Sequence, residues 1–335
     1  MPGQTIGVIG GGLMGHAIAQ ELATAGHSVQ LVDVSGEALS RALERIRQNL
    51  AMLTRFQLIT EESAAQALTR LETSTDLARA AARCNVVIEA VSEDLAIKRQ
   101  VFRDLDRAAP AHAILASNTS SLLPDAIASA TGRADRVLVA HFFNPPYLVP
   151  LVEVVRGSAT SDSTVSAILA LLRDAGKAPV VVAKAVPGFL INRLQIALLR
   201  EALSLVERGV VSIEDVDIAV RNSIGRRLSV AGVFEVCDVT GLDVVEAAAA
   251  NVIDQLDGSM KISPLISERV RRGELGIKSG KGLYSWTPES AARVQARIAR
   301  ALAEIRRWDQ LQIAPSMPTE PTGNLPPHSI GTMPA

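Results

Sequence analysis

The sequence predicts an α/β protein in which a doubly wound, mainly parallel sheet domain precedes an all-helical domain. Three observations support this prediction. Short apolar segments rich in β-branched residues alternate with helical segments over the first half of the chain. A glycine-rich turn directly follows the first of these segments. Beyond residue 183, apolar residues recur at the three- and four-residue steps of helices.

The predicted strands are continuous apolar runs, as expected for strands that are covered on both faces. They are residues 5–9, 29–34, 85–91, 113–117, 136–142, 151–155 and 179–183. Helices separate several of them. The first helix, residues 13–26, ends at Gly26, and Ser35 is a suitable N-cap for the second.

The second half of the chain is predicted to be helical. A long helix follows Pro187 and Gly188 and continues to about Arg208, where Gly209 stops it. Further helical segments are predicted near residues 212–223, 240–256 and 262–273.

The chain is therefore divided into three predicted parts. They are a sheet domain over residues 1–185, a helical domain over residues 186–300 and a C-terminal extension over residues 301–335. From about Ala314 this extension is rich in proline and lacks apolar periodicity, so it is predicted to be disordered.

Composition excludes several classes of function. The 335 residues carry a formal net charge of -1, and only 3% are aromatic, so neither nucleic acid nor an anionic membrane is an expected partner. No secretory signal and no uncharged apolar run of about 18 residues is visible, so no membrane span is expected. Cys84 and Cys237 lack metal-ligand spacing and cannot form a disulfide framework, which favours the reducing cytoplasm and predicts no metal site.

The glycine-rich turn lies between the first strand and the first helix and has the spacing Gly10-x-Gly12-x-x-Gly15. The first glycine permits a tight turn, the second lets a pyrophosphate approach the backbone, and the third allows close packing of helix and sheet. The strand–turn–helix context predicts a Rossmann-type dinucleotide site, and Leu13 and Met14 belong to the same turn.

Asp33 follows the second predicted strand, 18 residues after Gly15. A carboxylate at this place accepts hydrogen bonds from a ribose and repels a 2′-phosphate. No arginine stands beside it, so the predicted cofactor is NAD rather than NADP.

His141 and Glu153 are the predicted proton relay. Glu153 stands in the apolar run LVEVV, and a buried carboxylate is costly unless it is paired. A histidine is a suitable partner, because the carboxylate fixes its tautomer and raises the basicity of the second ring nitrogen. Beside a dinucleotide site, such a pair suits hydride transfer between an alcohol and a carbonyl.

Two further segments place polar side chains near this pair. The segment ASNTSS, residues 116–121, follows a predicted strand, so Asn118 and Ser120 are expected at the carboxyl edge of the sheet where ligands bind. Asn192 lies in PGFLINR, in the first turn of the long helix; the alternative is a hinge asparagine bonded to the backbone.

The motifs GVIGGGLMG, VIEAVSED, SNTSSL, HFFNPPYLVPLVEVV, PGFLINR and LGIKSGKGLY occur in this order, and together they resemble the L-3-hydroxyacyl-CoA dehydrogenase family over about residues 4–287. The resemblance implies an NAD-binding Rossmann domain, a helical domain that mediates homodimerisation, and interconversion of a 3-hydroxyacyl-CoA and its 3-keto form, as in fatty acid metabolism.

The resemblance also implies roles for individual residues. His141 matches the catalytic histidine, Glu153 its orienting carboxylate, and Ser120 and Asn192 the groups that contact substrate. By the same resemblance, Glu89 matches a residue near the nicotinamide end of the cofactor site. Lys98 matches a further position on the cofactor side.

Two departures from the family pattern concern the substrate. The segment after the second helix, NLAMLTRFQLITEESAAQALTRL, lacks the lysines that help hold coenzyme A in the family. Arg226 and Arg227 stand where acyl-CoA members commonly have a tyrosine–proline pair. Because a guanidinium binds a carboxylate through two hydrogen bonds, both arginines are candidate substrate-binding residues. The segment NPPYLVPLVEV and the arginine after SIG also resemble the relatives that oxidise free hydroxy acids, gulonate 3-dehydrogenase and carnitine dehydrogenase. The alternative is a solvated pair at a helix end.

Three alternative functions are therefore considered in addition to that of a 3-hydroxyacyl-CoA dehydrogenase. The first is a dehydrogenase of a free 3-hydroxy acid held by an arginine. The second is a non-catalytic NAD-binding protein, which has no use for a proton relay. The third is a 6-phosphogluconate-type or imine-reducing relative, for which a lysine or aspartate would be expected at the proton-transfer position.

Overall fold

The computed structural model describes residues 3–310, and the proline-rich tail predicted from Ala314 lies outside them. Within this range an eight-stranded sheet forms the first domain, in the order β3-β2-β1-β4-β5-β6-β7-β8. The strands are β1 (Thr5–Ile9), β2 (Ser28–Val32), β3 (Leu71–Ser74), β4 (Val86–Glu89), β5 (Ile114–Ser117), β6 (Val137–Phe142), β7 (Leu151–Arg156) and β8 (Ala178–Val182).

The helices fall into two groups. Those of the sheet domain are α1 (Gly15–Thr24), α2 (Gly36–Arg55), α3 (Glu61–Thr69), α4 (Leu77–Ala81), α5 (Leu95–Ala108), α6 (Pro124–Ala128) and α7 (Asp162–Asp174). Those that follow are α8 (Ile191–Glu207), α9 (Ile213–Asn222), α10 (Ile224–Leu228), α11 (Val233–Thr240), α12 (Leu242–Ala250), α13 (Pro264–Arg271) and α14 (Pro288–Gln310).

The predicted fold class is confirmed. Each of the seven predicted strands overlaps an observed one, and all neighbouring strands are parallel except β6 and β7. Strand β3 was not predicted, because its sequence LETS is short and only partly buried. Ser35 caps α2 as predicted, since its side chain accepts the backbone N–H of Ala38 at 3.0 Å.

Apolar side chains cover both faces of the sheet. On one face, Ile46 and Leu50 of α2 belong to a buried cluster with strand residues such as Ile88. On the other face, Phe102 and Leu105 of α5 are fully buried against further strand residues. Burying a large apolar side chain stabilises a fold by roughly 1.5–3 kcal/mol, so these two layers fix the strand ends rigidly in space.

The helices α8 to α13, which follow the sheet domain, contain few buried side chains. Leu203 is the one residue of α8 that is buried, and none is buried in α9 to α13. Large apolar side chains are instead exposed, among them Ile196 at 60%, Phe234 at 84% and Val239 at 90%. Large exposed apolar side chains in this number are typical of a surface that meets another protein.

Helix α14 returns to the sheet domain. Its Ala303 is buried in a cluster with Leu53, Leu58 and Leu148. Two arginines of the same helix bond to backbone carbonyls there: Arg307 donates to Phe56 O at 2.7 Å, and Arg306 donates to Tyr147 O.

This helix was not predicted, and the proposed boundary at residue 300 falls inside it. Its apolar residues Val294, Ile298 and Leu302 recur at four-residue steps, so the signal was present in the sequence. Among residues 3–310, none of the helices combines the length and the apolar character that a membrane-spanning segment needs.

Candidate active site

The glycine-rich turn connects β1 to α1 and requires its glycines. Gly10 has φ +100°, a conformation that side chains disfavour, and a Cβ on Gly15 would lie 1.7 Å from Gly10 O. A Cβ on Gly12 would meet no atom within 4 Å. The turn is therefore closed on its inner side and open at Gly12, which fits a phosphate group that approaches the backbone at the start of α1.

Asp33 lies just after β2, beside this turn. Its two carboxylate oxygens accept the backbone N–H groups of Gly11 at 2.7 Å and of Val34 at 2.8 Å. These bonds orient the carboxylate at the carboxyl edge of the sheet, where a dinucleotide ribose is bound in folds of this type. The turn and Asp33 together fit NAD.

His141 and Glu153 form a buried hydrogen-bonded pair. They face each other directly in the antiparallel register of β6 and β7, and His141 Nδ1 lies 2.8 Å from Glu153 Oε2. A carboxylate only accepts hydrogen bonds, so Nδ1 carries the proton and Nε2 is left as the basic atom.

The second oxygen of Glu153 is also bonded. Glu153 Oε1 accepts the backbone N–H groups of Leu190 at 3.0 Å and Ile191 at 2.8 Å, at the start of α8. The glutamate is fully buried, and its carboxylate is stabilised by hydrogen bonds from these two N–H groups and from His141. Phe143 and Phe189 lie against the imidazole, with ring centroids 4.5 Å and 5.9 Å away.

A cavity of about 570 Å³ joins the dinucleotide turn to the histidine. The six predicted residues at its wall come from three segments of the sheet edge. They are Gly12, Leu13 and Met14 of the turn, Asn118 and Ser120 after β5, and His141 at the end of β6. The structure thus brings the predicted cofactor site and the predicted proton relay to one place.

Ser120 and Asn192 meet through the backbone. Asn192 Nδ2 donates to Ser120 O at 3.1 Å, so α8 holds the segment after β5. Ser120 lies at the wall of the cavity, and its hydroxyl makes no hydrogen bond to residues 3–310. Asn118 Oδ1 accepts the backbone N–H of Phe142 at 2.8 Å and so ties this segment to the residue after His141.

Glu89 and Lys98 form a buried ion pair behind the cavity. Lys98 Nζ lies 2.7 Å from Glu89 Oε1, and the lysine is 1% exposed. Glu89 also accepts the Ser117 hydroxyl at 2.6 Å and the backbone N–H of Val91 at 2.7 Å. The two residues hold the ends of β4 and β5 together; their contact with the cofactor stays a prediction.

Glu93 is a site residue that the sequence reasoning missed. One of its oxygens accepts the Thr119 hydroxyl at 2.5 Å, the Ser121 hydroxyl at 2.8 Å and the backbone N–H of Ser120 at 3.2 Å. Burial acts to raise the pKa of Glu93, but these hydrogen bonds and the charge of Lys98 outweigh it and hold the pKa below its usual value. No spacing rule connects Glu93 to a segment 26 residues later.

Arg226 and Arg227 do not line the catalytic cavity of one chain. Both are exposed on α10, and Arg226 donates to Asn222 Oδ1 at 3.0 Å. Their role in substrate binding stays a prediction.

Comparison with known proteins places the chain in a family. Residues 5–186 match the family model described as 3-hydroxyacyl-CoA dehydrogenase, NAD binding domain. Residues 188–286 match the model for the C-terminal domain of the same dehydrogenases.

Individual relatives agree with this match. The chain is 36% identical to 5-formyl-3-hydroxy-2-methylpyridine 4-carboxylate 5-dehydrogenase of Mesorhizobium japonicum, over 91% of this chain and 97% of the relative. It is 37% identical to mitochondrial hydroxyacyl-coenzyme A dehydrogenase of Sus scrofa, over 83% of this chain and 90% of the relative. A crystal structure of the pyridine carboxylate dehydrogenase, described as an NAD⁺-dependent dismutase, superposes with a TM-score of 0.85 at 34% identity and covers 92% of this chain and 98% of that one.

Proposed function

Because this chain belongs to the 3-hydroxyacyl-CoA dehydrogenase family, we propose that His141 and Glu153 are the proton relay with which it oxidises a 3-hydroxyacyl group. The protein is an NAD-dependent oxidoreductase that interconverts a 3-hydroxyacyl-CoA and its 3-keto form. The observation that carries the proposed relay is the buried pair at 2.8 Å, on a cavity whose wall also contains the dinucleotide turn.

The relay acts on the substrate hydroxyl. In oxidation, His141 Nε2 accepts the proton of the hydroxyl at C3, and Glu153 stabilises the imidazolium that forms. When bound, NAD supplies the acceptor for the hydride that leaves C3. In reduction, His141 returns the proton to the carbonyl oxygen.

Neighbouring residues position the substrate and exclude water. The Ser120 hydroxyl is available to the substrate oxygen, and Asn192 holds Ser120 in place. Phe143 and Phe189 shield the imidazole, which strengthens its interaction with Glu153.

The test of the relay is the variant His141→Gln. We expect its kcat for 3-hydroxybutyryl-CoA to fall by about 10²–10⁴-fold, the usual contribution of general acid–base catalysis, with the Kd for NAD unchanged in calorimetry. His112→Gln is the matched control, since His112 is exposed and outside the cavity. Near-wild-type turnover in His141→Gln would show that the proposed relay is wrong.

A second candidate function keeps the chemistry and changes the substrate to a free hydroxy acid. One observation is compatible with this alternative: a relative 36% identical to this chain acts, by its name, on a pyridine carboxylate. Turnover of 3-hydroxybutyryl-CoA compared with that of free hydroxy acids distinguishes the two substrates. Preferential loss of free-acid turnover in Arg227→Leu would support the free acid, with Arg226 or Arg227 as its partner.

The assembly we propose is a homodimer formed by the helical domain. The exposed apolar side chains of α8 to α12 support it, since they gain burial only against another surface. The proposed location is the cytoplasm, and Cys84 and Cys237, which form no disulfide, are consistent with a reducing compartment. Sedimentation velocity of the full chain tests the dimer.

A further inference from the structure

Residues 143–150 connect β6 to β7 and so join the two strands that carry the proposed relay. We call them the connecting segment. Its first residue is Phe143, whose ring centroid lies 4.5 Å from that of the His141 imidazole. Phe143 and the next residue, Asn144, also lie at the wall of the catalytic cavity. The position of the connecting segment therefore determines what surrounds His141.

Two cationic side chains hold the connecting segment through its backbone. Lys177, which precedes β8, donates from Nζ to Pro146 O at 2.6 Å. Arg306 of α14 donates to the next carbonyl along the chain, Tyr147 O. Hydrogen bonds from charged donors are about twice as strong as neutral ones. Two consecutive carbonyls of the connecting segment are thus fixed by charged groups from two different elements.

Glu21 of α1 is the carboxylate that joins these two cations. Its Oε2 accepts a hydrogen bond from Lys177 Nζ, and its Oε1 lies 3.9 Å from Arg306 Nη1. The side chains of Glu21 and Lys177 are each 3% exposed, and that of Arg306 is 23% exposed. Burial lowers the pKa of Lys177, and the charge of Glu21 and its hydrogen bond act against this effect.

Stability alone is a weak reason for such a cluster. A buried ion pair seldom stabilises a fold more than apolar side chains of the same volume, because desolvation offsets its attraction. Its hydrogen bonds are directional, however, and here two of them end on carbonyls of the connecting segment. Arg306 reaches this segment from α14, which begins at Pro288, after the matched family domains end at residue 286.

We propose that Glu21, Lys177 and Arg306 are positioning residues for the reaction. None of the three is among the residues that line the catalytic cavity. They act by holding the connecting segment, whose Phe143 keeps the His141 imidazole in place. This inference rests on the proposed relay and adds the residues that fix its geometry from outside the cavity.

The test is the variant Arg306→Gln, because Arg306 is the least buried member of the cluster and its replacement should leave the protein folded. We expect kcat for 3-hydroxybutyryl-CoA to fall by about tenfold, while KM and the Kd for NAD change by less than about twofold, since a small displacement of a catalytic group slows the chemical step. Arg306→Lys keeps a cation that can reach Tyr147 O, so it should recover most of the kcat.

Arg307→Gln is the matched control. Arg307 is the next residue of α14 and also donates to a backbone carbonyl, but that carbonyl belongs to Phe56, just after α2. Both variants should lower the Tm to a similar extent, and only Arg306→Gln should lose kcat. The double variant Glu21→Gln with Arg306→Gln should lose little more kcat than the more damaging single variant, because residues of one network are not additive.

Three results would each overturn this inference. They are an equal loss of kcat in Arg306→Gln and Arg307→Gln, an Arg306→Lys variant that recovers nothing, and losses that add fully in the double variant. All three leave the proposed function intact if the wild type turns over 3-hydroxybutyryl-CoA and His141→Gln does not. Wild-type turnover in His141→Gln would overturn the proposed relay and this inference together.

Discussion

Glu153 on β7 accepts the backbone N–H of Ile191, the first residue of α8, at 2.8 Å. The carboxylate that is hydrogen-bonded to His141 therefore also accepts a hydrogen bond from the start of the helical domain. Because one oxygen of Glu153 bonds to His141 and the other to the backbone at the start of α8, the geometry of the relay depends on the position of α8. A glutamine at this position would remove the negative charge and keep one acceptor oxygen.

Glu153→Gln should lower kcat by about 10²-fold or more while leaving the fold intact. The amide oxygen still accepts a hydrogen bond, but the neutral side chain no longer stabilises the imidazolium. Steady-state kinetics and the Kd for NAD measure the two effects separately. An unchanged kcat would mean that the charge of Glu153 plays no part in the reaction.

Glu93→Ala should raise KM more than it lowers kcat, because Glu93 touches the segment that carries Ser120 rather than the reacting carbon. We expect Glu93→Gln to recover part of the loss, since its amide oxygen still accepts from Ser121 and Thr119. Kinetics on both variants test this order. If the alanine and glutamine variants lose the same activity, the hydrogen bonds to this segment do not position Ser120.

Low pH should weaken the hydrogen bonds between Glu93 and residues 119–121, because protonation removes the charge of the carboxylate. The pKa of Glu93 in the folded protein is below its ordinary value of 4.5, because hydrogen bonds from Thr119 and Ser121 outweigh the effect of burial. The stabilising contribution is therefore complete above pH 4.5 and is lost only as pH falls through the lower, folded value. The Glu93→Gln variant should lack this contribution.

Asp33→Asn should relax the preference for NAD. An amide oxygen still accepts the N–H of Gly11, so the turn is kept, but the negative charge that repels a 2′-phosphate is removed. We expect the ratio of kcat/KM for NADP to that for NAD to rise by at least about tenfold. An unchanged ratio would show that another group selects the cofactor.

Two buried histidines should make the protein less stable below pH 6.5. Burial lowers the pKa of His16 and of His27 from the ordinary value of 6.5, so both are neutral in the folded state where the unfolded chain takes up protons. The free energy of unfolding is then constant above this pH and falls below it, by at most about 1.4 kcal/mol per pH unit for each histidine.

Urea denaturation at pH 7.5 and 5.5 measures this dependence. His27→Leu should reduce the difference between the two pH values, whereas the exposed His112, replaced by glutamine, should not. An equal difference in wild type and His27→Leu would assign the pH dependence to other groups.

Much of the sheet domain was predictable because its signals are local. Continuous apolar runs marked most strands, and the spacing of three glycines marked the turn. The pair of His141 and Glu153 was predictable for a different reason: a carboxylate within an apolar strand needs a partner, and β7 runs antiparallel to β6, which places the two side chains opposite each other.

The remaining features depend on contacts between distant parts of the chain. The four-residue spacing of α14 indicated a helix, but its partners Leu53 and Leu148 lie far away in sequence. The periodicity of α8 predicted an apolar helix face, and Leu194 and Leu198 on this helix are about half exposed in one chain. Periodicity shows which side of a helix is apolar and does not show what covers it.

Helix α14 also has a mechanical consequence. The helices α9 to α13 are held to the sheet domain at two separate places, at the start of α8 through Glu153 and at the end of α14 through Arg306 and Arg307. Both ends of this helical segment are therefore tied to the sheet domain, and the tie at the start of α8 lies directly beside His141 through Glu153. A change in the position of α8 would reach the catalytic histidine through that one carboxylate.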